Sequence, residues 1–309
     1  MSMDKLIKKI IETKNPTVAG LDPKLEYVPN YIKEAAFLKY GHTLEGASEA
    51  LLVYNMGLID ALCDIVPAIK PQAAYYEMYG WQGVRTLAKT IEYAKSKGMY
   101  VITDGKRNDI GTTMEAYATA HLGKISIGDT EIEPFGADAL TVNGYLGTDG
   151  ISPLLGVCNQ YDKGIFVLVK TSNKSSGELQ DKMIGDKHIY EIMGEMCENW
   201  GSQAMGNYGY SSVGAVVGAT YPEQLAELRK KMPHTFFLVP GYGAQGGGAK
   251  DVSYGFDKNG LGAIVNSSRG IMCAYQQEGC DEKEYANAAR REAIRMRDDI
   301  TANINNITV

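Results

Sequence analysis

The sequence predicts an α/β chain folded as a single closed (β/α)8 (TIM) barrel, and three observations predict it. Short apolar runs, β-branched or aromatic, alternate with helical patterns from end to end. Eight such runs can be counted, the number that a closed parallel barrel needs. Polar and charged residues gather just behind them, as they must where all strand C-termini open on one mouth.

The runs come in a regular order. Val18–Asp22 is followed by the helical pattern Thr43–Leu62, and Val66–Pro71 by Gln82–Lys97. Tyr100–Lys106, Ala137–Asn143 and Ile165–Ser172 come next, then the helical pattern Tyr190–Gln203. Val213–Thr220 leads into a helix over Pro222–Met232, where Thr220-Tyr-Pro supplies a cap and a first-turn proline. Thr235–Gly241 and Ala263–Ser268 complete the eight. Each run is nearly continuous in apolarity, the pattern of a strand buried on both faces. An open doubly wound sheet would carry a phosphate loop after its first strand, and Gly20-Leu-Asp-Pro is not GxGxxG. Two polar or Gly-rich stretches, Asn173–Lys187 and Gly201–Ser212, are expected to be loops, the first on the catalytic face because it follows a strand end. The 309 residues exceed the roughly 250 of a typical barrel, so residues 1–309 are expected to form one domain with N- and C-terminal helical extensions.

Composition narrows the function. A net charge of −6 argues against a nucleic-acid groove as the main function. No run is long enough to cross a membrane as a helix, and the N-terminal stretch with Lys5, Lys8, Lys9 and Lys14 is amphipathic rather than a secretion signal. Five scattered cysteines without a CxxC pair suggest reduced thiols and a cytoplasmic protein. The four histidines show no metal-ligand spacing, so no metal site is expected.

Two clusters carry the chemistry. Asp104-Gly-Lys-Arg-Asn-Asp-Ile-Gly-Thr-Thr113 follows a buried strand. Asp104 and Lys106, two apart, are expected to share a face and to stabilise each other's charge. The second cluster is Val239-Pro-Gly-Tyr-Gly-Ala-Gln-Gly-Gly-Gly248, with Asn266-Ser-Ser-Arg-Gly270 one strand later. Glycines let backbone N–H groups approach an anion, and Arg269 can grip a phosphate with two donors. Phosphate sites after the seventh and eighth strands recur in these barrels.

Asp104-x-Lys106-x-x-Asp109-Ile resembles the signature of the orotidine 5′-monophosphate decarboxylase family. Gly20-Leu-Asp22-Pro, Lys70-Pro, Lys170-Thr-Ser172-Asn, Pro240-Gly-x-Gly-Ala-Gln245-Gly and Arg269-Gly follow in the family's order, from Val18 to about Gly270. The Thr141–Asp149 segment is similar to that of the longer bacterial-type branch; one departure is Gly144, where the pattern has proline. The resemblance implies decarboxylation of a nucleotide without cofactor or metal, in a homodimer with shared active sites. It implies that Lys106 stabilises the carbanion and protonates C6, with Asp104 beside the substrate carboxylate. Lys70 and Asp109 complete an alternating charge network, and Asp22 and Lys70 hold the ribose. Asp109 and Thr113 would come from the neighbouring subunit. Ser172 would meet the pyrimidine edge, Gln245 would bridge pyrimidine and phosphate, and Arg269 would hold the phosphate. Two rivals stay open at this point: a metal-assisted sugar-phosphate decarboxylase or aldolase on the same barrel, which shares Asp-x-Lys-x-x-Asp, and a non-catalytic phosphate-ligand sensor.

Overall fold

Side chains alternate along each strand, so a closed parallel sheet must bury two separate apolar layers, one in its bore and one beneath its helices. The computed structural model describes residues 2–243 and 246–308. Its strands are β1 (Thr17–Leu21), β2 (Ala68–Pro71), β3 (Tyr100–Arg107), β4 (Ala139–Val142), β5 (Gly164–Lys170), β6 (Val213–Val217), β7 (Phe237–Val239) and β8 (Ala263–Ser267). They pair in sequence order, all parallel, and β8 closes on β1 with Thr17 opposite Val265. The predicted (β/α)8 barrel is therefore the fold.

The bore holds Val18, Ala68, Tyr100, Ile102, Ala139, Phe166, Val216, Leu238 and Ile264. Their neighbours in sequence, such as Ala19, Ile69, Val101, Leu140, Val167, Val217 and Val265, pack outward against the helices. The outer ring includes α2 (Asn30–Tyr40), α3 (Leu44–Leu62), α4 (Gly80–Ser96), α5 (Gly111–Leu122), α6 (Thr148–Tyr161), α7 (Ile189–Gly201) and α8 (Pro222–Lys231). Thr43 caps α3 by accepting the Gly46 N–H at 3.1 Å, which satisfies one of the donors that a helix start leaves open.

The two terminal helices do different work. The N-terminal helix α1 (Ser2–Thr13) sends Met3, Leu6, Ile7 and Ile10 into the same apolar cluster as the bore and floors the barrel. The C-terminal helix α9 (Tyr285–Thr301) joins the outer layer through Tyr285, Ala288, Ala289, Ala293, Met296 and Ile300.

Several expected strands overran their observed C-terminal ends. β5 stops at Lys170 rather than Ser172, β6 at Val217 rather than Thr220, and β7 at Val239 rather than Gly241. Burial outlasts the strands at residues such as Gly218, Ala219 and Gly241, because the segments that turn over the mouth are themselves partly buried. The Asn173–Lys187 stretch is more ordered than a plain loop. It holds a 3-10 turn at Lys174–Glu178 and a short antiparallel pairing of Met183–Ile184 with Lys187–His188. Gly201–Ser212 crosses the floor instead, where Asp4 of α1 accepts the backbone N–H of Asn207 at 3.0 Å.

Candidate active site

Strand parity builds the site. Continuing the bore-facing series of β2 and β3 by one step places Lys70 above Ala68 and Asp104 above Ile102. The same step on β4 places Thr141 above Ala139. These side chains rise into a cavity of about 760 Å3 at the C-terminal mouth, with Leu168, Val216 and Leu238 also lining it.

Asp104 is the hub. Its Oδ2 accepts from Lys70 Nζ at 2.7 Å, and its Oδ1 accepts from Lys106 Nζ at 2.6 Å and from Thr141 Oγ1 at 2.8 Å. The Lys70 and Asp104 side chains are only 6% and 9% exposed, whereas Lys106 is 46% exposed and free to meet a ligand. Burial by itself would push the Asp104 carboxyl up, but the two ammonium groups outweigh it and hold the acid well below the usual carboxylate range. For Lys70, burial opposes the charge, and the Asp104 and Asp22 carboxylates override it, so its pKa is raised. The expected Asp104–Lys106 pair therefore exists, and Lys70 makes it a triad.

The backbone at Lys106 is unusual. Between Thr103, opposite Leu140, and Arg107, opposite Val142, β3 carries extra residues, and Lys106 sits at φ 46°. A left-handed conformation costs a non-glycine residue about 1–2 kcal/mol. The Lys106 N–H offsets part of that cost by donating to Thr141 Oγ1 at 3.0 Å. One threonine hydroxyl thus links the backbone of the bulge to the carboxylate it serves.

Asp22, just beyond β1, lines the same cavity, and its Oδ1 is buried with no hydrogen-bond partner among the described residues. The buried Asn266 Oδ1 on β8 is likewise unpartnered. Such orphaned acceptors suit ligand hydroxyl or amide donors. Across the mouth, Ser172 and Thr171 follow β5, while Pro240, Gly241 and Tyr242 follow β7. Gly218 leaves room for Ser172: a Cβ there would lie 2.9 Å from the serine Cβ. Gly241 and Gly243 adopt φ 105° and 71°, conformations that glycine takes without a steric penalty. Arg269 lines the cavity beyond β8, and its guanidinium makes no hydrogen bond or ion pair among the described residues.

Of the residues expected from sequence, Asp22, Lys70, Asp104, Lys106, Ser172 and Arg269 meet in this one cavity. Asp109 and Thr113 do not line it. Asp109 is half-buried and accepts its neighbour Ile110's N–H at 2.8 Å; Thr113 is exposed in the first turn of α5. Gln245 lies outside the described residues. Gly144, the departure from the family pattern, has a packing reason. A Cβ there would meet Met193 Sδ at 2.7 Å and Val167 Cγ1 at 3.1 Å, which excludes proline as well as alanine without local movement. Sequence reasoning missed Thr141 and Gln180 as wall residues. Thr141 could have been found from its place two residues beyond Ala139 on the bore face; Gln180 had no comparable signal, since it arrives on an irregular segment.

The orotidine 5′-phosphate decarboxylase / HUMPS family model matches residues 52–279. The chain is 45% identical over 295 residues to an orotidine 5′-phosphate decarboxylase of Rhodopirellula baltica, covering 94% of this chain and 96% of that one. It is 42% identical over 307 residues to the enzyme of that name from Clostridium tetani, covering 99% of each. Among solved structures, the orotidine 5′-monophosphate decarboxylase of Leishmania donovani superposes with a TM-score of 0.69 at 31% identity, over 94% of this chain and 98% of that one.

Proposed function

The chain belongs to the orotidine 5′-phosphate decarboxylase family, and from that premise we propose that the barrel mouth converts orotidine 5′-monophosphate to uridine 5′-monophosphate and carbon dioxide, a step of pyrimidine nucleotide synthesis. The observation that carries this reading is the Lys70–Asp104–Lys106 triad, two cations on one buried carboxylate, with the more exposed cation facing the cavity.

The reaction breaks the bond between C6 and its carboxylate and leaves an electron pair in the plane of the pyrimidine ring. The ring carbonyls do not absorb that pair simply, so the site must supply a fixed positive charge where it forms. Lys106 is the residue for this. Its Nζ stabilises the growing carbanion, then transfers a proton to C6, and the released CO2 carries away the carboxylate carbon. Asp104 holds Lys106 in place and sets a negative charge beside the substrate carboxylate, whose own charge moves to C6 as neutral CO2 departs and is neutralised there by the proton from Lys106. Because Asp104 is already ionised and already bonded, little reorganisation is needed during the step. Asp22 and Lys70 serve the ribose, Ser172 the pyrimidine edge, and Arg269 with neighbouring backbone amides the phosphate. Gln245 is assigned the bridge between pyrimidine and phosphate. Sugar-phosphate chemistry on the same barrel is the rival reading, but relatives at 42–45% identity over nearly the whole chain carry the decarboxylase name.

We further place Asp109 and Thr113 in the active site of a second copy of the chain. Asp109 does not line its own cavity, and exposed apolar side chains lie on this segment and the next loop: Ile110 at 50%, Tyr145 at 74% and Leu146 at 44%. A two-fold dimer would cover them and present each Asp109 to the partner. All five cysteines are free thiols, in keeping with a cytoplasmic location. No helix among the described residues is long and apolar enough to cross a membrane.

The test is direct. Purified protein incubated with orotidine 5′-monophosphate should give the absorbance change of conversion to uridine 5′-monophosphate, with and without excess chelator. Lys106→Ala should fold and lose nearly all turnover. A folded Lys106→Ala protein that kept most of its kcat would overturn the proton-donor assignment, and activity that vanished with chelator and returned with Mg2+ would favour the sugar-phosphate chemistry.

A further inference from the structure

Outside the triad, two more lysines are buried among the described residues, and the reaction uses neither: Lys163 donates to the Ala137 carbonyl at 2.9 Å just before β5, and Lys170 lies at the other end of that strand. Lys170 closes β5, and its side chain is fully buried. A bulge puts it there. Val216 of β6 lies opposite Leu168, but Val217 lies opposite Lys170, so β5 carries one extra residue. Leu168 faces the cavity, whereas Lys170 is turned away from it, toward the Tyr190 and Tyr221 rings, whose centroids lie 5.7 and 4.7 Å from its Nζ. The ammonium donates to Asp181 Oδ1 at 2.6 Å and to Ser176 Oγ at 3.1 Å. Both acceptors belong to the ordered segment that crosses beside the mouth.

That segment returns to the strand end one residue away. Gln180 Oε1 accepts the Thr171 N–H at 2.9 Å, and Gln180 Nε2 donates to Thr171 Oγ1 at 2.8 Å. Consecutive residues Lys170 and Thr171 are thus bound by consecutive residues Asp181 and Gln180. Thr171, Ser172 and Gln180 line the cavity; Lys170 and Asp181 do not. A buried ammonium is costly unless paired, so the pairing with Asp181 fixes where the segment can sit.

We propose that Lys170 is a positioning residue, which clasps the Asn173–Lys187 segment to the end of β5 and so fixes the Thr171–Ser172–Gln180 wall against the base of the nucleotide. The proposal rests on the pyrimidine-nucleotide reading of the cavity. It assigns Lys170 to recognition of the base rather than to the phosphate end, which is held across the mouth by groups after β7 and β8.

Two ligands separate these roles: uridine 5′-monophosphate, and ribose 5-phosphate, which keeps the sugar phosphate and lacks the base. Calorimetric Kd values would be measured for wild type, Lys170→Met and Gln180→Ala, alongside kcat/KM for orotidine 5′-monophosphate and the unfolding midpoint. In Lys170→Met the uridine 5′-monophosphate Kd should rise about tenfold, the scale of a lost hydrogen-bonding contact, and kcat/KM should fall by a similar factor. Affinity for ribose 5-phosphate should stay within about twofold. Gln180→Ala, which leaves the buried lysine paired, should show the same selectivity for the base-bearing ligand, and it carries the test alone if Lys170→Met does not fold. Equal losses for both ligands, or a lowered unfolding midpoint with unchanged Kd values, would overturn the positioning role. A wild-type protein that bound the two ligands equally would instead overturn the pyrimidine reading beneath it.

Discussion

Thr141 Oγ1 donates a 2.8 Å hydrogen bond to Asp104 Oδ1 from the neighbouring strand. The same hydroxyl accepts the Lys106 N–H, so it fixes both the carboxylate and the left-handed turn that carries the proton donor. Replacing it in Thr141→Val keeps the shape and removes both bonds. We expect kcat/KM to fall about tenfold, or ~1–2 kcal/mol, for the loss of a hydrogen bond to a charged group. Steady-state kinetics on the folded variant checks this, and an unchanged kcat/KM would assign the alignment of Lys106 to Asp104 alone.

The ionisation of Asp104 makes stability depend on acid in a defined direction. Burial raises its pKa, Lys70 and Lys106 lower it by more, and the folded value ends below the unfolded one of about 3.9. A depressed carboxylate stabilises the fold above its unfolded pKa, and that contribution is lost as pH falls toward the folded value. Asp104→Asn should therefore be less stable than wild type at pH 7, by about 3–5 kcal/mol if breaking this buried pair behaves like others. The gap should narrow below about pH 4 and stay level over the neutral range. Urea unfolding of both proteins as a function of pH reads it, and a gap that widened in acid would reverse the assigned sign.

Arg269 faces the cavity with its guanidinium unoccupied by side-chain partners among the described residues. A charge-assisted, two-donor grip on phosphate is expected to contribute strongly to binding. Arg269→Ala should weaken orotidine 5′-monophosphate binding by about a hundredfold while hardly changing the weak binding of orotidine, which lacks phosphate. Equal losses for the two ligands would move Arg269 to the base or the sugar.

Shared sites would show in mixed dimers. Lys106→Ala and Asp109→Ala subunits should each be nearly inactive alone. After exchange, about half the dimers should be mixed, each with one doubly damaged and one intact site, so roughly a quarter of all sites should recover. Activity that stayed flat after exchange, verified by mass spectrometry, would place Asp109 in its own chain's site.

The barrel was legible because eight buried runs alternate with helical patterns, and the site was legible where its residues follow from strand parity. Lys70 and Asp104 are the next bore-facing positions after Ala68 and Ile102, so apolar pattern and charge agree on where they point. Thr141 obeys the same parity, but a β-branched threonine in a strand also reads as ordinary sheet filling. Lys170 shows the limit from the other side. Sequence alternation would aim it into the bore, and one bulged residue turns it outward. Gln180 reaches the cavity through tertiary hydrogen bonds that no local period encodes. Asp109 and Thr113 lie outside the cavity of their own chain, so a single sequence could name them only by resemblance.

Among the described residues, the floor made by α1 closes the barrel at the end opposite the mouth. Met3, Leu6, Ile7 and Ile10 fill the space below Val18, Tyr100, Phe166 and Ile264 without solvent-exposed surface beyond about 1% at any of them. Traffic is consequently confined to the mouth: substrate enters there, and both the gas and the nucleotide product must leave the same way. A ligand that seats its phosphate at the rim stands in that doorway like a stopper, and what forms beneath it departs around it or after it.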